Sequence, residues 1–157
     1  MNPALQKLRE KNLCETKEAI KKTVQPDTLL IQAANSVDTL QKISNMLSEK
    51  LKEWYNLYNP EFSHATRDNK EFAGETAIKN RDELLQKIRK TEVNSMGGSL
   101  QEEDIVALKN LSKTANVLFE SIAQTEKYVN DSLQKVCPNM LIIAGPAITS
   151  KLLMIAG

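Results

Sequence analysis

The chain has 157 residues, a formal net charge of +1, 41% hydrophobic residues and 4% aromatic residues. That length fits one domain or one and a fraction, and scarce glycine and aromatics favour helical bundles over sheets. The near-neutral balance argues against a nucleic-acid footprint spread over the whole surface.

Residues 1–25 read as a short, basic, helical lead-in. Lys7, Arg9, Lys11, Lys17, Lys21 and Lys22 outnumber Glu10, Glu15 and Glu18. The excess could touch phosphate or simply be solvated. Thr16 is placed to cap a turn running to about Val24. The first ten residues carry charge and no apolar core, so they do not read as a signal peptide. Cys14 and Cys137 have no His or Cys at ligand spacing and are expected as free thiols in a reducing compartment.

Pro26 stops the lead-in and Asp27 is a candidate N-cap. From there Leu30, Ala33, Val37, Leu40, Ser44, Leu47, Leu51, Trp54 and Tyr58 alternate steps of three and four. This is the seam of a helix packed lengthwise on a partner. A rod from Asp27 to Tyr58 would be roughly 48 Å long and cannot bury its own stripe. It ends at Asn59-Pro60.

Glu61 to Gly74 is rich in turn formers, and Phe62 and Phe72 are expected to tuck under the end of the rod. His64, the sole histidine, sits in a polar stretch without a partner and reads as solvated. A shorter helix is expected around Thr76–Val93, with Ile78, Leu84, Leu85 and Ile88 on one face. Lys87, Arg89 and Lys90 make a small basic cluster. Lys87 and Lys90 are candidate RNA contacts, although Glu83 stands four residues before Lys87 and would pair with it.

Gly97-Gly98 turns the chain. Ser99-Leu100-Gln101-Glu102 has the form of a capping box, and Glu102, Glu103 and Asp104 suit the positive end of a helix dipole rather than a metal. A second rod follows through Leu108, Leu111, Ala115, Leu118, Ile122, Thr125, Val129 and Val136, with Leu133 one step off. It ends at Cys137-Pro138. Two rods of similar length should fold back as an antiparallel coiled-coil hairpin spanning 26–137, with residues 59–98 as a helical insert at its tip. Residues 138–157 are apolar almost all round and should form a buried helix or pair of helices. They resemble a membrane span, but Gly145, Pro146 and Lys151 interrupt it, so no membrane is expected. The hairpin base is too small to cover this surface, which calls for a partner or for further chain.

No Gly-rich phosphate loop, no His/Cys/Asp cluster and no nucleophile with a base at plausible spacing is visible, so neither catalysis nor a cofactor is expected. A long rigid hairpin suits spacing, dimerising or scaffolding.

Particular residues then carry a resemblance. Asp27-Thr28-Leu29-Leu30-Ile31-Gln32-Ala33, Leu51-Lys52-Glu53-Trp54-Tyr55 and Leu57-Tyr58-Asn59-Pro60-Glu61 resemble the coiled-coil region of the Nop family. So do Ser95-Met96-Gly97 and Glu102-Glu103-Asp104. Pro138-Asn139, Gly145, Lys151-Leu152-Leu153 and Ala156-Gly157 resemble the opening of the Nop domain. The resemblance implies an all-α fold and a non-catalytic scaffold of box C/D small ribonucleoproteins, which guide RNA 2′-O-methylation. It further implies a self-dimerising coiled coil, a Nop domain that binds guide RNA with a kink-turn-binding protein, and an N-terminal domain that binds fibrillarin. The fibrillarin-binding domain and the Gly-Ala-Glu-Lys motif beyond Gly157 are not in this sequence, so those partners are expected only through missing residues. Thr149 stands where relatives carry a small Gly. Lys151 stands where they carry a basic residue, and is placed to meet phosphate.

Leu29, Ile43, Met46, Val106 and Leu133 lie off the seam. They would supply an outer apolar strip for a second hairpin, or broaden the inner seam. The alternative to a scaffold is a short stand-alone adaptor or regulator pairing with a full-length relative. The expected location is cytoplasmic, or nucleolar if the chain is eukaryotic.

Overall fold

A computed structural model describes residues 3–89 and 95–156. Its regular structure is helical throughout: α1 (Pro3–Lys22), α2 (Pro26–Tyr55), α3 (Pro60–Ala65), α4 (Asn69–Ile78), α5 (Arg81–Lys87), α6 (Glu102–Val136) and α7 (Pro138–Ala156). The all-α class expected from composition is therefore found. The chain divides into two compact units, Met1–Asn35 with Tyr128–Gly157, and Ser36–Lys127. Helices α2 and α6 contribute to both.

In the first unit, every described side chain of α1 is exposed. Lys21 and Lys22 sit in its last turn, where cations complement the helix dipole. Thr16 caps nothing: its hydroxyl donates to Asn12 O at 2.7 Å inside a continuous helix. Helix α2 starts at Pro26, one residue earlier than the Asp27 cap predicts. Proline is at home in a first helical position because it has no N–H to leave unpaired. Asp27 instead accepts the Thr28 N–H at 2.8 Å within the first turn. The buried side chains of this unit are Leu30 and Ala34 from α2, Val129 and Leu133 from α6, and Thr149 from α7.

Helix α7 is two half-helices joined at a bend. Gly145 has φ 73° and ψ 168°, a left-handed conformation that favours glycine, and Pro146 supplies no N–H to bridge it. The Thr149 hydroxyl donates to Met140 O at 3.1 Å across the bend. In a straight helix, residues nine apart would be about 13 Å apart along the axis. The second half therefore turns back on the first. The expectation of a buried tail is not met. Ile142, Ile143, Ile148, Leu152 and Ile155 are all exposed, and Thr149 is the one buried residue among the described part of α7.

In the second unit the core gathers Leu51 and Tyr55 of α2, Phe62 of α3, Phe72 and Ala73 of α4, Leu84 of α5, and Leu108 and Ala115 of α6. Gln41 Nε2 donates to Glu126 Oε1 at 2.8 Å. The middle of α2 thus meets late α6, while the end of α2 shares a core with the start of α6.

The seam is displaced by one residue along half its length. Ala34, Ser48 and Tyr55 are buried, whereas Ala33 and Leu47 are half-buried and Trp54 is exposed. Each step from Leu30, Ser44 and Leu51 is four, not three. The repeat of seven is itself kept, since Leu30, Ser44 and Leu51 and their companions Ala34, Ser48 and Tyr55 recur at multiples of seven; only the order of the three and the four is exchanged. The aromatic core at the end of α2 favours Tyr55 over Trp54. On α6 the same exchange of steps puts Ser112 and Leu133 inside, each four residues after Leu108 and Val129, and leaves Val136 exposed. Leu133 is therefore removed from the outer strip, because it is wholly buried.

Ser48 lies in this seam with its hydroxyl buried and no hydrogen-bond partner. Removing an unpaired buried hydroxyl recovers its desolvation cost, and alanine is the better helix former. Ser48→Ala is expected to raise stability by about 1 kcal/mol in urea denaturation, and a loss of similar size would contradict this packing.

The insert is more regular than its turn-forming residues predict. Pro60 opens α3, with the wholly buried Asn59 accepting the Phe62 N–H at 3.2 Å as N-cap. Asp68 caps α4 by accepting from Lys70 N at 3.4 Å and Glu71 N at 3.1 Å. The helix expected over Thr76–Val93 is interrupted. Helix α4 ends at Ile78, which is exposed, and α5 begins at Arg81. The Ser99 capping box does not form, because α6 begins at Glu102 and Glu102 is then its first residue rather than its third. The three acids do occupy the first turn of α6 as the dipole argument predicts.

Candidate interaction surfaces

Three segments far apart in sequence are clasped together in the second unit. Phe62 and Phe72 stack with centroids 5.8 Å apart, and Tyr55 meets them edge-on at 6.5 and 5.4 Å. Burial pushes the Tyr55 hydroxyl well above the usual tyrosine range. Lys52 lies 5.3 Å over the Phe72 ring and donates to Thr66 O and Arg67 O. Beside this core, Glu61 accepts the Met96 N–H at 2.6 Å and the Ser95 hydroxyl at 2.8 Å. Arg81 donates to Gly97 O at 2.9 Å and Ser95 Oγ at 3.0 Å, with its guanidinium 5.1 Å from the Tyr58 ring centroid. Gly98 N–H closes the clasp on Leu57 O at 2.9 Å. Such charge-assisted bonds around one carboxylate and one guanidinium are stronger than neutral ones. Reading the sequence found Phe62 and Phe72 but missed Arg81 and the role of Glu61. The only local sign was their nearness to turn residues.

The candidate RNA contacts fare differently. The Lys87 ammonium is held by Glu71 Oε1 at 2.7 Å and Glu75 Oε1 at 3.6 Å, not by Glu83. Glu83 Oε2 instead accepts the Asn80 N–H at 2.9 Å at the start of α5. The hydrogen bond to Glu71 raises the Lys87 pKa, and Lys79 and then Lys87 hold the Glu75 carboxyl below the usual range. These pairs are partly solvent-exposed, so water screens them and each contributes little to stability. Lys90 lies outside the described residues. Lys151 is exposed on the second half of α7.

Of the proposed outer apolar residues, Leu29, Ile43, Met46 and Val106 are exposed and Leu133 is buried. Trp54 and Leu57 are also exposed, which the inner-seam assignment of Trp54 had hidden. His64 is exposed, and both Cys14 and Cys137 are free thiols. Among the described residues no group of three or more His, Cys, Asp or Glu could hold a metal ion. By length and apolarity, Pro138–Ala156 is the one described helix that could cross a membrane. The bend at Gly145 leaves halves of about 10 and 16 Å, each well short of a hydrocarbon core about 30 Å thick.

The motif pieces that resemble the Nop family, Tyr58-Asn59-Pro60-Glu61 and Ser95-Met96-Gly97, thus meet in one clasp. Comparison with known proteins agrees. The family model Nop, whose description reads "snoRNA binding domain, fibrillarin", matches residues 36–157. This chain belongs to the Nop family. It is 31% identical over 157 aligned positions to an uncharacterised NOP5 family protein of Methanocaldococcus jannaschii, covering 90% of this chain and 38% of that protein. It is 26% identical to nucleolar protein 58 of Schizosaccharomyces pombe, covering 83% of this chain and 28% of that protein. Against probable nucleolar protein 5-1 of Arabidopsis thaliana it is 25% identical, covering 83% of this chain and 27% of that protein. The chain therefore spans about two fifths or less of the length of these curated relatives.

Proposed function

We propose that this Nop-family chain acts as the coiled-coil portion of a non-catalytic scaffold in a box C/D-type small ribonucleoprotein guiding RNA 2′-O-methylation. The observation that carries the reading is the family match across 36–157, whose signature pieces converge on the Glu61–Arg81 clasp. An antiparallel hairpin is supported by the reversed order of contacts: Gln41 at the middle of α2 with Glu126, then Leu51 and Tyr55 further along α2 with Leu108, earlier in α6. The clasped insert then serves as the hairpin's tip. Exposed Ile43, Met46 and Val106 of the second unit supply apolar positions on which a second copy or a relative docks, and Leu29 is a further exposed candidate on the first unit. Lys151, exposed on α7, is the best placed of the candidate cations for phosphate, because Lys87 is already engaged by Glu71 and Glu75. Fibrillarin and the kink-turn-binding protein are the further members of such an assembly.

The test is immunoprecipitation of the tagged chain from its host, followed by sequencing of the bound RNA. Guide RNAs carrying box C and box D elements are expected to be enriched, and enrichment no greater than an untagged control overturns the reading.

A further inference from the structure

A small cavity lies beside the clasp, where the end of α2, the α4–α5 corner and α6 meet. Tyr55, Tyr58, Thr76, Arg81 and Leu108 contribute to its wall, and its volume is about 20 Å³. Of these residues, Arg81 alone has a buried polar side-chain atom left unpaired. Its Nη2 donates to Gly97 O at 2.9 Å and Ser95 Oγ at 3.0 Å, and its Nη1 donates to Gly98 O at 3.4 Å. Its Nε–H has no hydrogen-bond partner among the protein's atoms. A guanidinium is planar and presents its donors in a fixed fork. The bonds at its far end therefore set the direction of Nε–H, whereas a hydroxyl could rotate toward an acceptor. A buried donor left unpaired on a charged group costs more than one on a neutral group.

We infer that this cavity is a binding site for one water molecule, which accepts from Arg81 Nε–H and donates to hydroxyl oxygens of the wall. Size agrees: an internal water needs roughly 10–15 Å³ of such space and two to four polar partners. Chemistry agrees as well. Cavities that stay dry are apolar all round, and here Tyr55, Tyr58 and Thr76 bring hydroxyl groups to the wall. Thr76 Oγ1 gives its proton to Phe72 O at 2.8 Å, which leaves its lone pairs to accept. A halide would accept from Arg81 but could donate to none of these oxygens. Nor does charge call for an anion. Lys79, at the same wall, is paired with Glu75, and Lys109 donates to Asn80 Oδ1 at 2.7 Å. Ser95 Oγ, bonded to Arg81, donates to the Glu61 carboxylate at 2.8 Å. The water extends the clasp. It continues the chain of hydrogen bonds from Glu61 through Ser95 and Arg81 to Thr76, whose hydroxyl meets Ser112 Oγ of α6 at 3.0 Å. The 95–98 segment is then tied to the packing of α4 on α6 and not to Tyr58 and Glu61 alone.

Nuclear Overhauser spectroscopy on the full chain tests this in solution. A cross-peak between Arg81 Nε–H and the water resonance is expected, with the sign given by a water that tumbles with the protein. The Nε–H of Arg9, on the exposed helix α1, should show only chemical exchange with bulk water. A crystal structure that resolves ordered waters should place one oxygen within about 3 Å of Arg81 Nε. Crystals grown in sodium bromide should show no anomalous signal at that position. An absent cross-peak or an empty cavity overturns the inference. A bromide peak beside Arg81 overturns it too, and would make this an anion site.

Discussion

Gly97→Ala is expected to destabilise the second unit by about 3 kcal/mol, the scale of overpacking combined with a broken polar network. A Cβ at Gly97 would stand 2.0 Å from Tyr58 O, 2.6 Å from its carbonyl carbon and 2.8 Å from Arg81 Nη2. The guanidinium can move aside but the backbone of Tyr58 cannot without disturbing the cap at Asn59. The clasp would open, freeing the Glu61 carboxylate from Met96 N–H and Ser95. The neighbouring glycine provides the control. A Cβ at Gly98 would lie 3.5 Å from Leu57 O, ordinary contact. Gly98→Ala should therefore be neutral, or stabilise by up to about 1 kcal/mol through the unfolded chain. Urea denaturation of both variants checks the pair, and equal stabilities would show that the close approach at Gly97 carries no weight.

Phe72→Ala should cost about 4 kcal/mol, within the range for truncating a fully buried aromatic residue. Phe72 is wholly buried, stacks on Phe62, receives the edge of Tyr55 and lies beneath the Lys52 ammonium. Truncation leaves a cavity in the ring cluster that α2, α3 and α4 share. Phe72→Leu keeps much of the volume and should lose only about 1–2 kcal/mol. The single tryptophan, Trp54, sits one residue from Tyr55 and offers a fluorescence signal for the transition. If Phe72→Ala unfolds at the same urea concentration as the parent, the aromatic cluster is not the core of this unit.

Much of this architecture is legible from residue order. Pro26, Pro60 and Pro138 mark helix starts because proline fits a first turn and cannot continue a preceding helix. Phe62 and Phe72 announce themselves as core because two large apolar rings in a polar stretch need cover. The inner face of each long helix is also legible to within one residue. The displacement at Ala34, Ser48 and Tyr55 keeps the seven-residue repeat and moves only its second position, a choice made by packing and not by the period. The clasp was not legible. Glu61, Arg81 and Ser95 are separated by 20 and 14 residues, and nothing in their neighbourhoods marks them as partners.

Apolar periodicity, proline position and the order of signature residues are local properties, and they were enough for the helical class, the two long helices and membership of the Nop family. Pairing is not local. Leu133 and Val136 stand three residues apart with similar chemistry, and packing put one inside and the other out. Trp54 and Tyr55 are adjacent aromatics, and the ring cluster admitted only Tyr55. The fold-back of α7 is announced by Gly145-Pro146, but its closure depends on the Thr149 hydroxyl meeting Met140 O. In each case side chains of nearly equal local preference compete for one buried volume, and contacts distant in sequence settle which of them fills it.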